Sequence, residues 1–241
     1  AFEPAALTSS GFKAATAVIA PNAGSLSAPT GLAFDPAHRL WVANHDNGTL
    51  VGFDGAQLAA GGAPVPAVVL SGLGHPTALA FDGDGSLWVS DNVAQTIAKY
   101  RAADLAASGS PAPAVVLTET ENAFPLPLGL AFDADGNLWV ANLQARNVVA
   151  FSPAQLAVTG APTPQVVLSS TDGSLALPVG LAFDAEGSLW VVGGAGTLTK
   201  FARTSLGASG APEPSARLTI TGHQVLWSAA LWPKPAGLPL N

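Results

Sequence analysis

The stretch PLGLAFDADGNLWVAN, residues 127–142, decides how the rest of the chain is read, because it recurs. It returns as PTGLAFDPAHRLWVAN from residue 29, PTALAFDGDGSLWVSD from 76 and PVGLAFDAEGSLWVVG from 178. A worn fifth copy, WSAALWPKPAGLPLN, starts at Trp227. The repeated aromatic falls at Phe34, Phe81, Phe132, Phe183 and Trp232, in steps of 47, 51, 51 and 49 residues. A period that regular marks a repeat architecture.

A second half lies between the copies. It reads VGFDGAQLAAGGAPVPAVVL to Leu70, AKYRAADLAASGSPAPAVVL to Leu117, VAFSPAQLAVTGAPTPQVVL to Leu168 and TKFARTSLGASGAPEPSARL to Leu218. The opening AFEPAALTSSGFKAATAVI matches this half, with Phe2, Pro4, Ala5 and Leu7 standing where Phe151, Pro153, Ala154 and Leu156 stand. Each unit predicts four strands. GLAFD runs into an Asp-x-x-Gly turn, LWVAN runs back, an aromatic-ended strand follows and VVL is the fourth. Gly136 and its counterparts supply the positive φ that a tight hairpin needs, and His38 occupies that position in the first unit. Ser152-Pro153-Ala154-Gln155-Leu156 reads as one capped helical turn.

Four antiparallel strands repeated at this period describe a β-propeller blade. The expectation is therefore an all-β, five-bladed propeller forming a single domain over residues 1–241. Blade five is shared by residues 1–20 and 226–241, so that N-terminal strands close the ring against the C-terminal ones. Trp41, Trp88, Trp139 and Trp190 recur at one strand-two position, which predicts core between blades.

Charged residues make up 10% of the chain and apolar ones 49%, yet every apolar run is short and broken by Gly, Pro or Asp. Nothing approaches the ~18 to 20 residues that a membrane helix requires. A net charge of −7 with no basic stripe argues against nucleic acid, whose binding depends on neutralising phosphates. The absence of cysteine removes disulfide, thiol and thiolate chemistry. The Ala/Pro/Gly-rich composition and a first residue that is not methionine make a secreted or periplasmic location the expectation.

The GLAFDADGNLWVAN unit resembles the NHL-repeat propellers and their gluconolactonase-like and streptogramin-lyase-like relatives. The resemblance covers nearly the whole chain and implies the fold; the same scaffold hosts binding, hydrolysis and elimination. In gluconolactonase-like propellers, it implies, acidic or amide residues just before the strand-one glycine ring the central channel and hold a metal. This sequence has Thr30, Thr77, Leu128, Val179 and Ser228 there. Three hydroxyls and two aliphatics do not supply the carboxylates that a hard divalent cation takes. The lyase-like families imply a general-base histidine and a metal-binding glutamate on one face, and the nearby glutamates, Glu119 and Glu121, share one loop.

The loops leading into strand one and those joining strands two and three share the top face of such a propeller. The candidate ligand-binding residues there are His45, Asp46, His75, Asp91, Asn142 and Trp227. His45, His75 and His223 are candidate ligands for Zn or Cu, since imidazole suits both. His38 falls on the opposite face, in the hairpin turn. The apolar Phe124, Leu126, Leu128 and Val179, with Trp227, could line a channel mouth or plug it. No Gly-x-Ser-x-Gly elbow, His-Glu-x-x-His helix or phosphate loop occurs. The leading expectation is a non-catalytic binding or scaffold propeller for an unknown small molecule or protein, with no catalytic residues and no cofactor. The alternatives are a metal-dependent lyase or hydrolase, and a metal-binding propeller.

Overall fold

The computed structural model describes residues 17–22, 25–119 and 123–219. Sixteen strands over these residues form four separate four-stranded antiparallel sheets, each made of consecutive strands. Blade one holds β1 (Pro29–Phe34), β2 (Leu40–Asn44), β3 (Thr49–Phe53) and β4 (Val68–Leu70). Blade two holds β5 (Pro76–Phe81), β6 (Leu87–Asp91), β7 (Thr96–Tyr100) and β8 (Val115–Thr118). Blade three holds β9 (Pro127–Phe132), β10 (Leu138–Asn142), β11 (Asn147–Phe151) and β12 (Val166–Leu168). Blade four holds β13 (Pro178–Phe183), β14 (Leu189–Gly193), β15 (Thr197–Phe201) and β16 (Ala216–Thr219). The chain is thus an all-β propeller of four-stranded antiparallel blades. Four blades, not five, are present among the described residues; the expected fifth blade and its ring closure rest on residues outside them.

Hairpin chemistry sets the strand-one to strand-two turns. Asp82 Oδ1 accepts from the Asp84 and Ser86 backbone N–H groups at 3.0 and 2.9 Å, and Asp133 and Asp184 repeat the pattern. The last turn residue is left-handed in every blade: Gly85, Gly136 and Gly187 at φ 74°, 80° and 75°, and His38 at 62°. His38 therefore fills a position suited to glycine, as the repeat alignment implies. The turn after β3 is a real helix, α1 (Gly55–Ala60), whose Asp54 and Gln57 form a capping box. Its counterpart in blade three shrinks to a 3₁₀ turn over Gln155–Ala157, where Gln155 reaches back to the Ser152 N–H.

Blades pack face to face, and the seams are the core. Trp41 and Ala33 of blade one meet Leu79 and Phe81 of blade two. Trp88 packs with Phe132, and Trp139 with Phe183, both edge-on at centroid distances of 6.1 and 6.0 Å. Trp41, Trp88 and Trp139 are buried, as the repeat predicts, while Trp190 in blade four is half-buried. Phe124, read from the sequence as lining the channel mouth or plugging it, is fully buried edge-on against Phe151 in the seam.

A latch joins each outer strand to the next blade. Leu70 bridges Gly109, Leu117 bridges Gly160 and Leu168 bridges Gly210, each through a short parallel pairing. Ile19 bridges Gly62 in the same manner, with Gly62 N–H donating to Val18 O at 2.8 Å and Ala20 N–H donating to Gly62 O at 2.7 Å. Residues 18–20 therefore stand where the outer strand of a preceding blade would stand.

Beneath each hairpin an aspartate and a tryptophan recur, joined by a cation in blades one, two and four. Trp88 Nε1–H donates to Asp82 Oδ2 at 3.0 Å, and Lys99 Nζ sits 2.8 Å from the same oxygen and 5.4 Å from the indole centroid. Blade four repeats this with Trp190, Asp184 and Lys200. Burial disfavours the Asp184 carboxylate, but hydrogen bonds from Lys200, the Ser188 N–H and Trp190 outweigh it, so its pKa lies below the ordinary value.

Candidate functional site

Opposite the hairpin turns, the loops joining strands two and three meet the segments that lead into the next blade. Gly48, at φ 63°, ends the β2–β3 turn and accepts from Leu73 N–H at 3.2 Å, which presses that turn against the approach to β5. A side chain on Gly48 would run into the carbonyls of Leu73 and Gly74. This close approach brings two histidines from adjacent blades together. The His45 and His75 rings lie 5.1 Å apart at 51°. Both residues are partly exposed. His45 Nδ1 lies 3.0 Å from Asp46 Oδ1, and the His45 backbone N–H donates to Ala28 O at 3.2 Å. The His75 N–H donates to Asp91 Oδ2 at 2.7 Å.

The remaining sequence-predicted residues divide by location. Asp91 is a loop anchor: beyond His75, its Oδ1 accepts the N–H groups of Val93 and Ala94 at 2.9 and 2.7 Å. Asn142 is fully buried and donates to Ala123 O and Asn147 Oδ1. Asn44, which the sequence reading left within the strand framework, does the same work: it accepts from Ser27 N–H and donates to Ser25 O and Thr49 Oγ1. These three occupy one repeat position, and each ties its own top loop to the segment before strand one. Trp227 and His223 lie outside the described residues, as does Glu121. Of the three candidate metal ligands, the structure brings two together; among the described residues no group of three or more His, Cys, Asp or Glu side chains is placed to hold a metal ion.

Several acceptors on this face are buried without a hydrogen-bond partner among the described residues: Asn92 Oδ1, Asn142 Oδ1 and Glu119 Oε1. An unmet buried acceptor is costly and favours a donor brought by a ligand or water. In the segment before β13, Asp172 pairs with Arg217, and hydrogen bonds from Ser174, then Arg217, hold its carboxyl below the ordinary value.

The channel-side position before the strand-one glycine is structurally distinctive. In every blade the strand-one to strand-two register shifts there, around Thr30, Thr77, Leu128 and Val179. A bulge re-aims its side chain, which is how such a position serves a site. Here Thr30 Oγ1–H donates to Pro76 O and Thr77 Oγ1–H to His75 O, both at 3.1 Å. The four described members of the ring are two hydroxyls turned onto backbone carbonyls and two aliphatic side chains. They do not fit a hard divalent cation.

Residues 65–171 match the family described as SMP-30/Gluconolactonase/LRE-like region. No curated protein matches the chain. Among solved structures, a streptogramin B lyase superposes with a TM-score of 0.53 at 15% identity, covering 76% of this chain and 54% of that one. Virginiamycin B lyase from Staphylococcus aureus gives 0.54 at 13% identity, covering 83% and 58%. Kuenenia stuttgartiensis hydrazine synthase gives 0.58 at 14% identity, covering 87% and 53%. The chain spans little more than half the length of these structures, and identities this low establish the propeller fold alone.

Proposed function

We propose that this gluconolactonase-like propeller, with streptogramin B lyase propellers among its structural neighbours, is a binding module that does no catalysis. It would present His45, Asp46 and His75, at the top of the seam between blades one and two, to a small ligand or a protein partner. The bulge ring carries the reading. Where the related enzymes are expected to display acidic ligands toward the channel, Thr30 and Thr77 are committed to backbone carbonyls, and Leu128 and Val179 offer no donor atom. At the top of this seam the imidazole pair and the exposed Asp46 offer polar groups outward. Asp91 takes part by positioning His75.

A second reading rests on the 5.1 Å approach of His45 to His75. Two imidazoles from adjacent blades could share a Zn or Cu ion with His223 as the third ligand. The experiment separates the readings. The protein is incubated with quinupristin and with a small lactone, with and without Mg²⁺ or Zn²⁺, and titrated calorimetrically with Zn²⁺ and Cu²⁺. No turnover and no stoichiometric metal binding is the expected result. Turnover that disappears in His45→Ala would replace the binding reading by a catalytic one. Stoichiometric metal lost in His45→Ala and His75→Ala, without turnover, would establish the second reading.

We also propose that a fifth blade, built from residues 226–241 and 1–20, closes the ring. Two observations support it. Ile19 repeats the latch that Leu70, Leu117 and Leu168 make. Both ends of the four-blade arc carry apolar faces that every internal seam buries: Leu32 and Phe34 are 60% and 38% exposed where Leu79 and Phe81 are 4% and 0%. Leu218 is likewise 54% exposed where Leu117 is 0%. With a fifth blade seated there, Leu218→Ala should cost about as much as Leu117→Ala, roughly 2–5 kcal/mol in urea unfolding. A Leu218→Ala cost within about 0.5 kcal/mol of zero would leave that face in solvent and refute closure.

A further inference from the structure

The repeat contains its own template for a ligand. The residue opposite the strand-two tryptophan across the sheet is Gly52, Lys99, Ala150 and Lys200 in blades one to four. In blades two and four the lysine ammonium is held by the hairpin aspartate at 2.8 and 2.7 Å and lies 5.4 and 5.3 Å from the indole centroid. In blade one Arg39 comes from the hairpin itself, crosses Gly52, and brings its guanidinium to 5.7 Å from the Trp41 centroid and 3.9 Å from Asp35. Three blades therefore place a cation of this chain against the same carboxylate and the same indole.

Blade three keeps the carboxylate and the indole but has no cation of its own there. Trp139 Nε1–H donates to Asp133 Oδ2 at 2.8 Å, as in the other blades. Ala150 replaces the lysine, and the neutral Asn137 amide takes the same Asp133 oxygen at 2.8 Å. Where the lysine chain would run there is a cavity of about 160 Å³, bounded by Asp133, Trp139, Ala150, Gln165, Phe183 and Leu206. Among the described residues the one cation on its wall, Arg203, is turned toward Asp135 at 3.4 Å. The wall thus carries two carboxylates against one guanidinium, a surplus of one negative charge beside an aromatic ring.

We infer that this cavity binds a small primary alkylammonium ion, seated as the Lys99 and Lys200 side chains are seated in blades two and four. The ammonium meets Asp133 Oδ2 and the Trp139 face, and a short unbranched alkyl chain lies along Ala150 and Leu206. Attraction of a cation to an indole adds to the ion pair. The site lies under the hairpins, at the opposite end of the blades from His45 and His75, so it stands or falls independently of the top-face reading.

The Trp139 indole N–H reports the site directly because it donates to the same carboxylate. ¹⁵N-labelled protein is titrated with propylammonium chloride, with potassium chloride and propanol as controls. The Trp139 indole resonance should shift saturably in the low-millimolar range expected of a ligand of four heavy atoms, on the order of 1–10 mM, and the controls should leave it unmoved. Asp133→Asn should weaken the response at least tenfold. Ala150→Lys carries the test if Asp133→Asn fails to fold: it installs the ammonium of the template and should abolish the propylammonium response. An unmoved Trp139 resonance at about 100 mM propylammonium, or a full response retained by Ala150→Lys, would overturn the assignment.

Discussion

Trp88→Ala removes about 3–5 kcal/mol of folding free energy, a large fraction of the roughly 5–15 kcal/mol that a folded domain has to spare. The side chain is fully buried, edge-on to Phe132 of the next blade, in the seam that also holds Ile97, Leu117, Leu138 and Phe151. Blades pack face to face through such seams, so a hole there loosens two sheets at once. The substitution also takes a donor from Asp82 Oδ2, which keeps Lys99. Trp88→Phe separates the two contributions. It retains most of the apolar contact and loses only the indole N–H, and should cost about 1 kcal/mol plus the smaller ring's deficit. Urea unfolding of both variants measures this. A Trp88→Ala loss below about 1 kcal/mol would mean that the seams do not carry the fold.

Much of this architecture is legible in the chain because the signals are local and repeated. Strand alternation, the Asp-x-x-Gly turn and the strand-two tryptophan each sit within a few residues of one another, and recurrence distinguishes them from noise. His38 shows how far this reaches: aligned with glycines, it carries their left-handed backbone. The approach of His45 to His75 follows from the same alignment, since neighbouring blades put their top loops side by side. Other features are not written locally. The lysines over Trp88 and Trp190 lie eleven and ten residues away in the chain and become neighbours only through cross-strand pairing, while Arg39 reaches the same place over Trp41 from a different position. A cavity has no residue of its own, and Ala150 reads as an ordinary strand alanine until its register is known. The bonds of Asp91 and Asn142 are hidden for a related reason. A polar residue ending a strand at a loop reads the same whether it faces a ligand or holds backbone groups, as both also do here by tying their loops to the segment before strand one. Phe124 is hidden too, since an apolar residue in a connecting loop can fold into the seam instead of the channel.

The inner strands pack backbone against backbone, and there a single methyl group decides whether blades fit. A Cβ on Gly129 would sit 2.8 Å from Val179 O and 3.1 Å from Gly180 Cα. Both are backbone atoms of β13, so no rotamer change relieves the clash. Gly31 faces the backbone of Thr77 and Ala78 in the same way. Gly129→Val therefore has to push blade four away from blade three and open the seam that holds Trp139, Leu181 and Phe183. The expected cost is at or above the top of the roughly 1–3 kcal/mol range for overpacking, with loss of cooperative unfolding as the alternative sign of the same strain. Blade two supplies the internal comparison, because Ala78 occupies the equivalent position in β5. That seam has already adjusted to one extra carbon, so Ala78→Gly should change stability by no more than about 1 kcal/mol, the intrinsic penalty of glycine in a strand. Thermal melts of Gly129→Ala, Gly129→Val and Ala78→Gly give the ordering. If Gly129→Val melts within about 4 °C of the wild type, the shift that ~1 kcal/mol produces in a domain of this size, the inner strands do not set the spacing of the blades.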